Sequence, residues 1–289
     1  MRYRVRHTTA YAYRKPVDLA SHMLHLSPRP LPHQTIAATA LQSTPAPVRS
    51  TEALDHFGNQ VTWLFLDMPH AEFEVTMDAV VDVAFPPPPP ADATPAWEDV
   101  AAAARAGGAF WQASEFVFES PMVSLDPSAA AYAARSFPPD RPILAGVKDL
   151  TARIRREFAF RGGVTTISTP VSKVMQLRAG VCQDFTHVMI SGLRSLGLPA
   201  RYVSGYIRTK PPPGQVRRRG ADQSHAWVGA WMGPEHGWVD FDPTNDLIVS
   251  DEHVVLGWGR DFGDVSPLRG VILGGGKHSL KVSVDLEAA

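Results

Sequence analysis

One stretch constrains this chain more than any other. Phe185, Val188, Met189, Gly192, Leu193 and Leu196 recur at three- and four-residue steps, the spacing of one apolar helix face. Gly197 and Pro199 close it, since glycine accepts a left-handed cap and proline cannot continue a helix. A glycine turn at Gly180 opens directly into this helix, so Cys182, the only cysteine in the protein, falls in its first turn. There the unpaired N–H groups and the positive end of the helix dipole favour a thiolate over a thiol. Such a placement can lower a cysteine pKa from about 8.5. The competing reading is a small buried hydrophobe, the usual fate of a lone cysteine.

The rest of the composition narrows the setting. A chain of 289 residues suffices for one large or two modest domains. A net charge of −1 supplies no field toward nucleic acid or an anionic membrane, so neither is expected as a partner. One cysteine excludes an intrachain disulfide. The N-terminus alternates rather than forming an apolar signal core, and no apolar run is long enough to span a bilayer. These features predict a cytoplasmic protein.

Residues 1–85 read as a β domain. Tyr3, Val5 and His7 alternate with charged residues, and Phe73, Val75, Met77, Ala79, Val81 and Val83 alternate strictly. The stretch from Asp55 to Asn59 offers a turn through Gly58. Five to seven short strands are expected, which suits a small β-sandwich. His22, His25, His33 and His56 are too scattered for a metal site and read as surface or core-edge residues. Pro86 to Pro90 form a stiff extended spacer and the clearest boundary, giving a linker over 86–95 and a second domain over 96–289.

That second domain begins helical. Alanine-rich stretches run from Trp97 to about Arg105 and from Ser128 to Arg135. Leu150, Ile154 and Phe158 mark a helix over 149–158, with Val147 one turn earlier, and a short helix covers 172–177. Beyond the cysteine element the period switches to two. Residues 201–207 read as a strand, 210–220 as a mobile loop with a solvated Arg217–Arg219 triplet, and 225–231 and 238–242 as two further strands. Leu280, Val282, Val284 and Leu286 form a last alternating run that returns to a sheet.

A thiol nucleophile needs a base, and the base needs an acceptor on its other nitrogen. The last hairpin supplies both. With Trp231 facing Trp238, His225 shares a face with Asp242 as its diagonal neighbour; slid by one residue on each strand, the two lie directly opposite. Asp240 has the same parity but sits farther from His225. Taken singly, His225 also reads as a satisfied core histidine, and Asp242, before Pro243 and Thr244, as a turn-initiating side chain.

These residues carry a family resemblance. The segments Gly180 to His187, Leu196 to Tyr206, Ser224 to Trp227 and Gly237 to Thr244 are similar to the transglutaminase-like superfamily. More narrowly, the chain resembles the superfamily's bacterial branch of candidate cysteine proteases with an N-terminal β domain, through Asp55 to Asn59 and Gly259 to Gly270. The resemblance implies an α+β fold with a papain-like core, in which a helix bearing Cys182 packs on an antiparallel sheet bearing His225 and Asp242. It implies Cys182 as nucleophile, His225 as base and Asp242, four residues after Trp238, as the orienting acid. Gln183 follows the cysteine where the eukaryotic cross-linking enzymes carry tryptophan, and no acidic loop has calcium spacing, so calcium activation is not carried over. No cofactor and no metal are expected.

The expected chemistry is attack of Cys182 on the carbonyl of a peptide or peptide-like amide, giving a thioester resolved by water. Transfer to an amine, forming an isopeptide bond, is the alternative, and a non-catalytic binding scaffold is the alternative of a different class. The Cys182 backbone N–H is the natural oxyanion donor; Gln176 stands at a papain-like distance upstream for a second, though nothing in the resemblance assigns it. Asp184 and His187 read as supporting residues on the same helix.

Overall fold

A computed structural model describes residues 1–208 and 224–289. The loop expected over 210–220, with Arg217 to Arg219, lies outside the described residues. The fold is α+β.

The first unit is organised by its long opening strand. Strands β1 (Arg2–Leu24), β2 (Gln34–Thr44), β3 (Arg49–Leu54), β4 (Gln60–Leu66) and β5 (His70–Val83) run in the order β2-β5-β1-β4-β3. The expected sandwich of short strands takes the form of one antiparallel sheet curled about a 23-residue β1. From Arg2 to Ala12 this strand pairs with β5; from Ala20 to Leu24 it pairs with β4. The register with β5 shifts between Ala12 and Val17, around Pro16, which has no N–H to give a ladder. Alternation along both halves turns Tyr3, Val5, Val17, Leu24, Phe73, Val75 and Met77 into one core. His22 and His25 are buried rather than at the surface, with His22 stacked 4.3 Å from Phe73.

The second unit opens with α1 (Trp97–Ala106), the one-turn α2 (Trp111–Ser114), α3 (Pro127–Ala134) and α4 (Ile143–Glu157). α4 starts well before Asp149, because Ile143, Leu144 and Val147 prolong its buried stripe back to Pro142. A two-residue β6 (Ala159–Phe160), α5 (Val171–Leu177) and a two-residue β7 (Ala179–Gly180) lead into α6 (Cys182–Ser195). Strands β8 (Ala200–Ile207), β9 (Ser224–Trp231), β10 (Trp238–Asp242), β11 (Leu247–Ile248) and β12 (His253–Gly259) form a five-stranded antiparallel sheet, ordered β11-β10-β9-β8-β12. Phe185, Val188, Met189 and Leu193 of α6 share a core with Ala226, Val228 and Ala230 of β9, so the helix lies on that face.

The last two strands, β13 (Leu268–Gly274) and β14 (His278–Ala288), leave this sheet and pair with β1. The two units are also clasped by the turn before β4. Asp55 accepts from the backbone N–H groups of Phe57 and Asn59, at 2.9 and 2.8 Å. Asn59, buried, then donates to the Trp258 carbonyl at 2.8 Å and accepts from the Trp258 N–H at 3.0 Å.

Candidate active site

Cys182 stands at the first helical position of α6, where a backbone N–H has no intrahelical acceptor. The entry to that helix is held on both sides. β7 pairs with β6, Ala159 donating to the Arg178 carbonyl and Arg161 to that of Gly180, both at 2.8 Å. One turn in, the Asp184 carboxylate folds back to accept from the Val181 N–H at 2.7 Å and from the Thr165 hydroxyl at 2.8 Å. Residue 180 must be glycine for this return: a Cβ there would stand 2.5 Å from Asp184 Oδ2. Burial pushes Asp184 up, against the hydrogen bonds from Val181 and Thr165. Its carboxylate thus serves the helix start as a cap. His187 is buried and kept neutral, its pKa pushed down by burial to about 4, while its Nε2 accepts from the Phe262 N–H at 3.3 Å. Gln176 is exposed on α5. The Cys182 thiol itself is free and half-buried.

The hairpin selects between the two sequence registers. Trp238 pairs with Trp231 and Asp240 with Gly229, the arrangement that leaves His225 and Asp242 as diagonal neighbours. Their side chains meet: His225 Nε2 lies 2.7 Å from Asp242 Oδ2. Asp240 is otherwise engaged, accepting from the Trp227 indole N–H at 2.9 Å. With Nε2 on the carboxylate, Nδ1 is the nitrogen left for sulfur. Burial alone would push His225 down; hydrogen bonding to Asp242 and Cys182, with their charges, raises it instead to about 10. Asp242, fully buried, would be pushed up by burial, but His225, His253 and Asn245 hold it well below the usual carboxylate range. Cys182, His225 and Asp242 are therefore brought together by three different elements.

Asp242 makes the contacts of a turn residue and of a histidine partner at once. Its Oδ1 accepts from the backbone N–H of Thr244 at 2.9 Å, an Asx turn, while Oδ2 serves His225 and accepts from Asn245 Nδ2 at 2.6 Å. Sequence reasoning missed two residues here. Asn245 is one; its offset of three from Asp242 in a turn was the available signal. The other is His253 at the start of β12, buried, with Nε2 3.5 Å from Asp242 Oδ2. His225, Asp242 and His253 each bring one ligand atom within 4.8 Å of the others, a cluster that could hold a metal. The 2.7 Å hydrogen bond already engages two of those atoms with each other. Tyr202 borders the thiol; burial, then the charge of Cys182, raises its phenol well above the usual range.

Comparison with known proteins matches both units. Residues 3–82 match the family described as bacterial transglutaminase-like N-terminal region, and residues 131–243 the transglutaminase-like superfamily. An uncharacterised protein of Mycobacterium tuberculosis is 40% identical over 289 residues, covering 99% of this chain and 92% of its own. One of Mycobacterium leprae is 31% identical, covering 99% and 98%. A protein-glutamine gamma-glutamyltransferase of Pseudomonas aeruginosa is 40% identical over 68 residues, 23% of this chain and 10% of its own. The crystal structure of a candidate cysteine protease from Cytophaga hutchinsonii shares the fold with a TM-score of 0.76 at 21% identity, covering 100% of this chain and 91% of its own.

Proposed function

The chain belongs to the transglutaminase-like superfamily, and from that premise we propose that it hydrolyses a peptide or peptide-like amide through Cys182, His225 and Asp242. One observation carries this reading. The His225 ring is held through Nε2 by a buried carboxylate, and the Cys182 thiol acts on the same ring as hydrogen-bond partner and charge.

The sulfur attacks the amide carbonyl, and the oxyanion that forms takes the Cys182 backbone N–H. Such a donor contributes about 3 kcal/mol to the transition state. As the C–N bond breaks, His225 gives its Nδ1 proton to the departing amine, leaving a thioester on Cys182. Water then adds to the thioester and gives a proton to His225. The C–S bond breaks, the acid leaves, and the thiolate–imidazolium pair is restored. Asp242 holds the ring in one tautomer and offsets the imidazolium charge. A free thiol poised in this way is best kept in a reducing compartment, which favours the cytoplasm.

A second reading replaces water by an amine and ends in an isopeptide bond. The local likeness to a gamma-glutamyltransferase favours it. Alkylation tests the shared premise: iodoacetamide should label Cys182 much faster than a free thiol at pH 6 to 7, and His225→Ala should remove the advantage. Slow labelling that rises only at pH 8 to 9 in both proteins would leave a binding scaffold. Incubation with a peptide library and a fluorescent primary amine then separates cleavage from amine incorporation.

A further inference from the structure

A cavity of about 640 Å³ lies between the two units, and none of Cys182, His225 or Asp242 lines it. Its walls are the prolines Pro86 to Pro89 and the rings of Phe57, Phe116, Trp238 and Trp258. Trp227 connects the two regions: its ring lies 6.1 Å from that of His225, and its indole N–H donates to Asp240, which borders the cavity.

One buried cation faces this apolar space. The Arg201 guanidinium lies 4.3 Å from the Trp238 ring and 3.8 Å from that of Trp258, which also takes Arg29 at 3.6 Å. Arg29 is occupied, donating to the Phe57 carbonyl and to Asn59 Oδ1, both at 2.8 Å. Arg201 is held more loosely. It is 8% exposed, its Nε is buried with no hydrogen-bond partner among the described residues, and its Nη2 stands 3.8 Å from Asp240 Oδ1. Burial lowers its pKa to about 10, against the pull of Asp240, so it stays charged at neutral pH. The space is built for this group: a Cβ on residue 229 would come within 2.7 Å of Arg201 Nε and 2.8 Å of Asp240 Oδ1, so only glycine fits.

We propose that this cavity binds a carboxylate carried on an aromatic body, with Arg201 as its anchor. A planar guanidinium fixed between aromatic faces presents its edge donors in the geometry a carboxylate matches. The proline and aromatic walls receive the body by burial and stacking. Asp240 and Glu115 on the same lining oppose a second negative charge, which selects a monoanion over a phosphate. A free aromatic acid and the C-terminal phenylalanine of a peptide share this chemistry.

Calorimetric titration of the full chain at pH 7 tests it with two matched pairs. These are 3-phenylpropionate against 3-phenylpropanamide, and an acetylated hexapeptide ending in phenylalanine against its C-terminal amide. The acid should bind at least tenfold more tightly than its amide in one pair or both, and the pair that shows it identifies the source. Arg201→Gln should abolish the preference. Gln112→Glu, at an exposed lining position where folding is not at stake, should weaken acid binding several-fold and leave amide binding alone. Equal binding of acid and amide in both pairs, no saturation at millimolar ligand, or loss of binding after alkylation of Cys182 would overturn the proposal.

Discussion

His225 Nε2 and Asp242 Oδ2 stand 2.7 Å apart although no backbone pairing joins their residues. The contact is diagonal, spanning two strands fixed by the pairing of Trp231 with Trp238. Asp242→Asn removes the charge that compensates the buried imidazolium and allows the wrong tautomer. Amide cleavage, or failing a known substrate the labelling of Cys182 at pH 6.5, should slow by about a hundredfold or more. Circular dichroism should show the fold retained.

The same contact predicts how stability depends on pH. His225 has a folded pKa of about 10, above its ordinary 6.5. Its contribution is therefore complete below pH 6.5 and lost as pH rises through about 10. Asp242 has the opposite sign: its contribution is present above its ordinary 3.8 and lost only as pH falls well below that. Urea midpoints of the wild type and His225→Gln, measured from pH 5 to 10, should be farthest apart near pH 5 to 6 and converge toward pH 10.

Gly180→Ala places a methyl against the Asp184 carboxylate and disturbs its bond to the Val181 N–H. The cost should be about 1 to 3 kcal/mol by denaturant unfolding. Because the bond sets the start of α6, labelling of Cys182 should slow as well.

Arg194, 2% exposed, satisfies the carbonyls of Phe118, Ala200 and Arg260 from one guanidinium. Arg194→Met removes the donor from the buried Ala200 carbonyl and from the half-buried carbonyls of Phe118 and Arg260, and the loss should be about 2 to 3 kcal/mol in urea unfolding.

Asn59→Ala cuts the clasp between the units, removing both bonds to Trp258, one to Asp55 and one from Arg29. About 2 kcal/mol should be lost. Native-state hydrogen exchange should show the Trp258 amide losing protection.

Much of this arrangement could be read from the sequence because it is local. The α6 face, the cysteine at its start and the shared parity of His225 and Asp242 follow from periods within single elements. The register of the hairpin did not follow, since a turn from Met232 to Gly237 admits two closures. His253 was hidden for a different reason. It reaches the site through β12, whose partner β8 lies some fifty positions earlier, and a bulge between Val255 and Gly257 breaks the alternation that would have marked the strand. The shared β1 was also invisible, because alternation shows that Val282 to Leu286 form a strand but not which neighbour they choose. The clasp at Asn59 needed the partner strand to become meaningful.

The pairing of Tyr3 with Ala288 and of Leu24 with Leu268 sets an order of events during synthesis. The opening strand acquires two of its neighbours only after the thiol-bearing half has emerged from the ribosome. That half is topologically a large insertion, threaded between β5 and β13, and the curled sheet closes around a strand made long before these two neighbours.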